Sequence, residues 1–126
     1  MVIQERTLPP VTRQQIARYA GAVRDFNPMH VDEEFAKSVG MPSVIAHGPL
    51  TLARGLDAIM AQVGVNGIRR VEARFKAPYV PGEALTLVPT EAGFELRTGS
   101  GAVVMTALLE LSGEHEAGEE EVATPT

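Results

Sequence analysis

Gly48-Pro49-Leu50-Thr51-Leu52-Ala53-Arg54-Gly55-Leu56-Asp57-Ala58-Ile59-Met60-Ala61-Gln62-Val63 carries the longest helical pattern in the chain. Leu50, Ala53, Leu56, Ile59, Met60 and Val63 recur at helical spacing and give one apolar face over about four turns. Leu52 and Ala58 widen that face, so the helix is predicted to be wrapped on more than one side. Pro49 suits the first helical position, and Gly64 with Asn66-Gly67 supplies the stop. Beyond residue 67 the period changes. Val71, Ala73, Phe75 and Ala77 alternate with Glu72, Arg74 and Lys76, the pattern of a half-buried strand. Pro81-Gly82 marks a turn, and further strands are predicted over 83–90, 93–98 and 102–111. Short loops at Glu91-Ala92-Gly93 and Gly99-Ser100-Gly101 make neighbouring strands antiparallel. The last strand is nearly all apolar, which predicts cover on both of its faces.

Upstream of the long helix the signals are local. Residues 2–8 read as a short strand ending at Pro9-Pro10. Thr12 with Gln15 has the form of a capping box, and Ile16, Tyr19, Ala20 and Val23 follow at helical spacing until Pro28 stops the helix. Asp32, followed by Glu33 and Glu34, opens another helix with Phe35, Ala36 and Val39 as its stripe and Gly40 at its end. The expected architecture is α+β, an antiparallel sheet packed on a central helix. Its 126 residues make one domain, assigned to 1–112.

Composition narrows the function classes. Residues 113–126 hold five glutamates and no Lys or Arg, so they are predicted to be a disordered acidic tail. The rest carries 11 acidic and 11 basic groups. A balanced body with 5% aromatic residues argues against a nucleic-acid partner. No apolar run reaches the ~18 residues of a membrane span, and the mixed N-terminus predicts no signal segment, so a cytoplasmic protein is expected. The absence of cysteine excludes disulfides, iron–sulfur clusters and thiol catalysis.

Chemistry concentrates in two loops. Asp25-Phe26-Asn27-Pro28-Met29-His30 packs a carboxylate, an amide and an imidazole around a forced bend. Asp25 and His30 can together hold a water and move its protons, since an unperturbed histidine titrates at about 6.5. Ile45-Ala46-His47-Gly48-Pro49 places the Gly48 N–H at the positive end of the long helix, where it can stabilise charge on a carbonyl oxygen. The same residues also read as ordinary turns and helix starts. Asp25, His30 and His47 also make a two-histidine, one-carboxylate ligand set, although no ligand-motif spacing supports a metal.

Tyr19-Ala20-Gly21, Asp25 through Asp32, Ala36, Gly40 and Ile45-Ala46-His47-Gly48 together resemble the signature of the MaoC-like dehydratases, or (R)-specific enoyl-CoA hydratases. Arg74-Phe75-Lys76-Ala77-Pro78 and Pro81-Gly82-Glu83 are similar to that family's second block. The resemblance spans 12–88 and implies a hotdog fold. It also implies reversible syn addition of water to a trans-2-enoyl thioester, giving a (3R)-3-hydroxyacyl thioester. Asp25 and His30 would then be catalytic, Asn27 would orient the water, the Gly48 N–H would face the thioester oxygen, and His47 would support the site. No metal or redox cofactor is implied; coenzyme A or an acyl-carrier protein comes as part of the substrate. The family often has Ser-Gly where Val23-Arg24 stand, and Gly-Met where Gly48-Pro49 stand.

Three further expectations complete the reading. Arg70, Arg74 and Lys76 would share one strand face and receive the carrier's phosphates, with Arg69 pointing oppositely. Arg54 and Asp57, three apart on the long helix, would pair and disfavour long acyl chains. A chain this small is expected to form a homodimer or higher homo-oligomer, or to pair with a second hotdog subunit. The competing functions are an acyl-CoA thioesterase and a non-catalytic partner subunit.

Overall fold

The computed structural model describes residues 3–112; the acidic tail assigned to 113–126 lies outside the described residues. The chain runs β1 (Arg6–Leu8), α1 (Arg13–Val23), α2 (Pro28–Val31), α3 (Glu33–Ser38), α4 (Gly48–Val63), β2 (Ile68–Phe75), β3 (Leu85–Pro89), β4 (Gly93–Thr98) and β5 (Val103–Leu111). The five strands form one antiparallel sheet in the order β1-β3-β4-β5-β2, with α4 against one face. This is the hotdog architecture, α+β as expected.

Local chemistry sets most boundaries. The Thr12 side chain accepts from the Gln15 N–H while the Gln15 side chain accepts from the Thr12 N–H, closing the capping box that starts α1. That helix ends earlier than Pro28. Arg24 terminates it in the left-handed region at φ 61°, the one non-glycine residue with positive φ among those described. Pro28 instead opens α2, whose N-cap is Asn27. Asp32 caps α3 through the Phe35 N–H. Gly40, at φ 96°, then closes α3 with Gly40 N–H to Lys37 O and Met41 N–H to Ala36 O, the paired bonds of a Schellman end.

The helix–sheet contact runs along a narrower stripe than the apolar pattern suggests. The buried row of α4 is Thr51, Gly55 and Ile59; Leu50, Leu52, Leu56 and Ala58 flank it, and Ala53 is exposed. Against it stand Phe94, Leu96 and Met105, all fully buried. Gly55 permits the approach, because a Cβ there would lie 2.8 Å from Phe94 Cε2 and 3.4 Å from Leu96 Cδ1. Pro49 is the second helical residue rather than the first, which Gly48 occupies.

Two expectations about the helix and the last strand are corrected. Arg54 does not pair with Asp57. Its Nη2 donates to the Pro9 and Pro10 carbonyls at 2.7 and 3.4 Å, so it clamps the segment after β1, while Asp57 is exposed. Nor is β5 covered on both faces among the described residues. Met105, Ala107 and Leu111 face the core, whereas Leu108 is 55% exposed on the other side.

Replacing Gly55 by alanine tests the close approach. The new methyl must displace a fully buried ring, at a cost that exceeds the ~1 kcal/mol gained in helix propensity, so Gly55→Ala should destabilise by about 1–2 kcal/mol. Denaturant unfolding reads this directly, and an unchanged or raised stability would contradict the contact.

Candidate active site

The site forms where three backbone segments meet at the N-terminus of α4. The strap 45–47 is stitched on both sides. Ile45 N–H donates to Met29 O at 3.0 Å, and Ala46 N–H donates to Tyr79 O at 2.8 Å. Tyr79 is itself buried. Its hydroxyl accepts from the Val11 N–H at 3.2 Å and donates to Glu83 O at 2.5 Å. Burial raises its phenol above the ordinary value, against the opposing Val11 hydrogen bond, so it serves as an anchor.

The bend from Asp25 to His30 is held by its own polar groups. The Asp25 carboxylate accepts from the Asn27 N–H at 3.3 Å, and Asn27 Oδ1 accepts from the Met29 N–H at 2.9 Å. Asn27 therefore shapes the loop as a helix cap. That bond takes one lone pair of the side-chain oxygen and does not involve the Nδ2 donors. The geometry of Arg24 bears on the departure from the family's glycine, since the position adopts a conformation that glycine favours.

Both histidines are oriented by carbonyl oxygens. His30 Nδ1 lies 2.8 Å from Ile45 O, and His47 Nε2 lies 3.1 Å from Asp25 O. A carbonyl can only accept, so each of those nitrogens carries the proton. His30 is left with Nε2 as its free ring nitrogen. The two rings stack with centroids 3.7 Å apart and planes 21° apart, and Tyr19 meets His47 edge-on at 4.8 Å. Asp25 is exposed, His30 half-buried and His47 buried at 2%. Donor atoms of the three lie within 4.8 Å of one another. With one nitrogen of each ring held by a carbonyl, the other nitrogen of each, Nε2 of His30 and the buried Nδ1 of His47, is the one a ligand could use.

A cavity of about 360 Å³ opens beside this cluster. His30, Ile45, Gly48, Thr51, Phe75 and Lys76 are among its lining residues. Gly48 is the first residue of α4, so its N–H has no partner within the helix and lies at the positive end of the dipole. The Phe75 ring packs over it, 3.1 Å from where a Gly48 Cβ would stand. Phe75 is 52% exposed. In the sequence Phe75 is one apolar position of an alternating strand, and nothing in that local pattern marks it as a cavity wall.

The basic patch divides. Among Arg70, Arg74 and Lys76, Lys76 alone borders this cavity. The strand ends at Phe75, so the alternation that would align Lys76 with Arg70 and Arg74 stops there. Arg70 is ion-paired with Glu72, and Arg74 lines a separate concavity with Glu72, Thr106 and Leu108. Arg69 sits at a register shift between Ile68 and Arg70. Arg54 and Asp57 are not among the cavity's lining residues, which removes the ground for reading acyl-chain length from them.

The model of the MaoC like domain family matches residues 2–112. The chain belongs to that family. It is 37% identical over 87 residues to the peroxisomal enoyl-CoA hydratase 2 of Arabidopsis thaliana, covering 67% of this chain and 26% of that protein. It is 35% identical over 105 residues to the 3-hydroxyacyl-thioester dehydratase X of Mycobacterium tuberculosis, covering 79% of this chain and 34% of that one. This MaoC-like chain thus spans about a quarter to a third of the length of these curated relatives. Its fold is also that of a chain in the ChsH1–ChsH2 complex of Mycobacterium tuberculosis. That match has a TM-score of 0.71 and 21% identity, over 89% of this chain and 94% of the other.

One ion-pair cluster of this MaoC-like domain braces the strap from behind. Glu33 accepts from Arg13 at 2.9 Å and from the Val44 N–H at 3.2 Å, with Lys37 Nζ at 3.5 Å. The Arg13 hydrogen bond, then that of Val44, holds its carboxyl at about 2 instead of the ordinary 4.5. A depressed carboxylate stabilises the fold above its unfolded value and loses that contribution as acid protonates it. The thermal midpoint should therefore fall between about pH 4.5 and about pH 2. Glu33→Gln should flatten that limb, and a parallel limb in the variant would remove Glu33 as its cause.

Proposed function

We propose that this MaoC-like chain is an (R)-specific enoyl-thioester hydratase, equally a 3-hydroxyacyl-thioester dehydratase in reverse. The observation that carries the reading is the meeting of the Asp25 carboxylate and the His30 imidazole beside a cavity whose wall includes Gly48. Hydration needs an activated water, a proton for C2 and a resting place for charge on the thioester oxygen. The protonated Nδ1 of His30 is held by Ile45 O, which leaves Nε2 to face the water. The water oxygen bonds to C3. One of its protons passes to the Asp25–His30 pair, the other stays on the new 3-hydroxyl, and the pair delivers one proton to C2, so the pair ends as it began. The Gly48 N–H receives the charge that develops on the thioester oxygen. Addition of water changes no overall redox state, and the reading calls on no redox cofactor.

Lys76 is the cation best placed to meet a carrier phosphate, at the rim of the cavity. The acyl thioester is carried by coenzyme A or a carrier protein, and the names of the curated relatives support both the substrate class and the reaction. Self-association accompanies this reading. Among the described residues β2 is paired only to β5, so its other edge offers N–H and C=O groups to a second strand. The exposed Phe75 and Leu108 add apolar surface near that edge. A second copy or a different hotdog subunit would satisfy it, and light scattering of the chain alone distinguishes them.

Loss of enoyl absorbance with crotonyl-CoA measures the reaction. Asp25→Asn and His30→Ala should each lower the rate by at least about 100-fold. Activity untouched by both substitutions would overturn the assignment of the pair. Release of free thiol from saturated acyl-CoA would make the chain a thioesterase instead.

A further inference from the structure

His47 is the most deeply buried polar side chain at the site and takes no direct part in the chemistry proposed above. Its surroundings are specific. Nε2–H donates to the backbone carbonyl of Asp25, the residue that carries the carboxylate. One face of the ring stacks on His30, the residue that carries the imidazole. The His47 backbone is the N-cap of α4, directly before the Gly48 N–H, and its carbonyl accepts from Thr51 N–H at 3.1 Å to start the helix. All three groups that would touch substrate are therefore indexed to one side chain or its own peptide.

Capping does not account for this ring. Its side chain makes no cap hydrogen bond to α4, although an N-cap side chain ordinarily does. Nδ1 is buried without a hydrogen-bond partner among the described residues, an arrangement that costs stability compared with an apolar side chain of similar shape. A residue serving only to fill the core would not need either nitrogen. What the ring supplies is one N–H aimed at one carbonyl, together with a flat face.

The structure assigns His47 as a positioning residue that sets the Asp25 carboxylate and the His30 imidazole in register across two loops. The assignment rests on the hydratase reading for its kinetic consequence, and on geometry alone for its structural one. The N–H to Asp25 O is the principal restraint, because Asp25 and Asn27 are exposed and their other bonds are internal to the bend or go to Ala20. The stack is the lesser restraint, because His30 is also held by Ile45 O.

Two variants separate the restraints. His47→Phe keeps a flat ring and removes the N–H. His47→Gln places an amide N–H where Nε2 stood and removes the ring. With crotonyl-CoA, His47→Phe should lower kcat by about 10- to 100-fold, the scale of a misplacement near 1 Å. KM should move by less than about threefold, since substrate contacts are intact. His47→Gln should recover kcat to within about fivefold of the parent. In an Asp25→Asn background the Phe substitution should cost less than about twofold, because the group it positions is already disabled.

Backbone amide spectra give a readout independent of activity. Amides of residues 25–30 should broaden in His47→Phe and stay sharp in His47→Gln, with the sheet amides unchanged in both. Parental kcat in His47→Phe, equal losses in both variants, or unaltered amides in His47→Phe would each overturn the assignment. If the parent hydrates no enoyl-CoA, the hydratase reading fails while the spectra still decide the role of His47.

Discussion

The close contact between α4 and the sheet at Gly55 governs where everything else stands. A glycine on the buried stripe lets the helix sink until the Phe94 ring occupies the space of a side chain. Thr51 and Ile59, one turn to either side, then share the same depth. The dispersion and burial gained there fix the helix in translation as well as rotation. Its N-terminus consequently emerges beside the end of β2, where Phe75 rests against Gly48. An anion-stabilising helix end is useful only where a reactive carbonyl can reach it, and this packing is what aims it at a cavity.

Around that fixed point the site is assembled largely from backbone carbonyls. Ile45 O orients His30, Asp25 O engages His47, and Tyr79 O receives the strap at Ala46. Backbone acceptors differ from carboxylates in two respects. They bring no charge into a half-buried site, and they leave no ambiguity about which ring nitrogen is protonated. The charged groups stand further out. Arg13, Glu33 and Lys37 brace the strap through Val44, and Arg54 clamps the Pro9-Pro10 segment. Exposed pairs of this kind contribute modestly to stability, so their main effect is on geometry.

The elements that were legible in the sequence are those whose causes are local. The capping box at Thr12, the N-cap at Asp32, the glycine end of α3 and the switch of period after residue 67 each appear where the residues demand them. The Asp25–His30 bend was legible for the same reason: a proline and two short polar side chains fold it within six residues. Arg54 was not legible, because its acceptors lie more than 40 residues away. The division of the basic patch was equally hidden. Alternation assigns faces only while a strand continues, and this one ends a single residue before Lys76.

By itself, then, the sequence determined the periodicity of each element, its ends, the sheet-on-helix architecture and the short motif that brings a carboxylate and an imidazole to one bend. Those depend on propensities and hydrogen bonds spanning a few residues. Tertiary structure alone decided that His30 and His47 stack, that Phe75 walls the cavity, and that Arg54 serves the loop after β1 instead of Asp57. Such contacts depend on how far one surface slides over another before atoms touch, and no spacing along the chain encodes that distance.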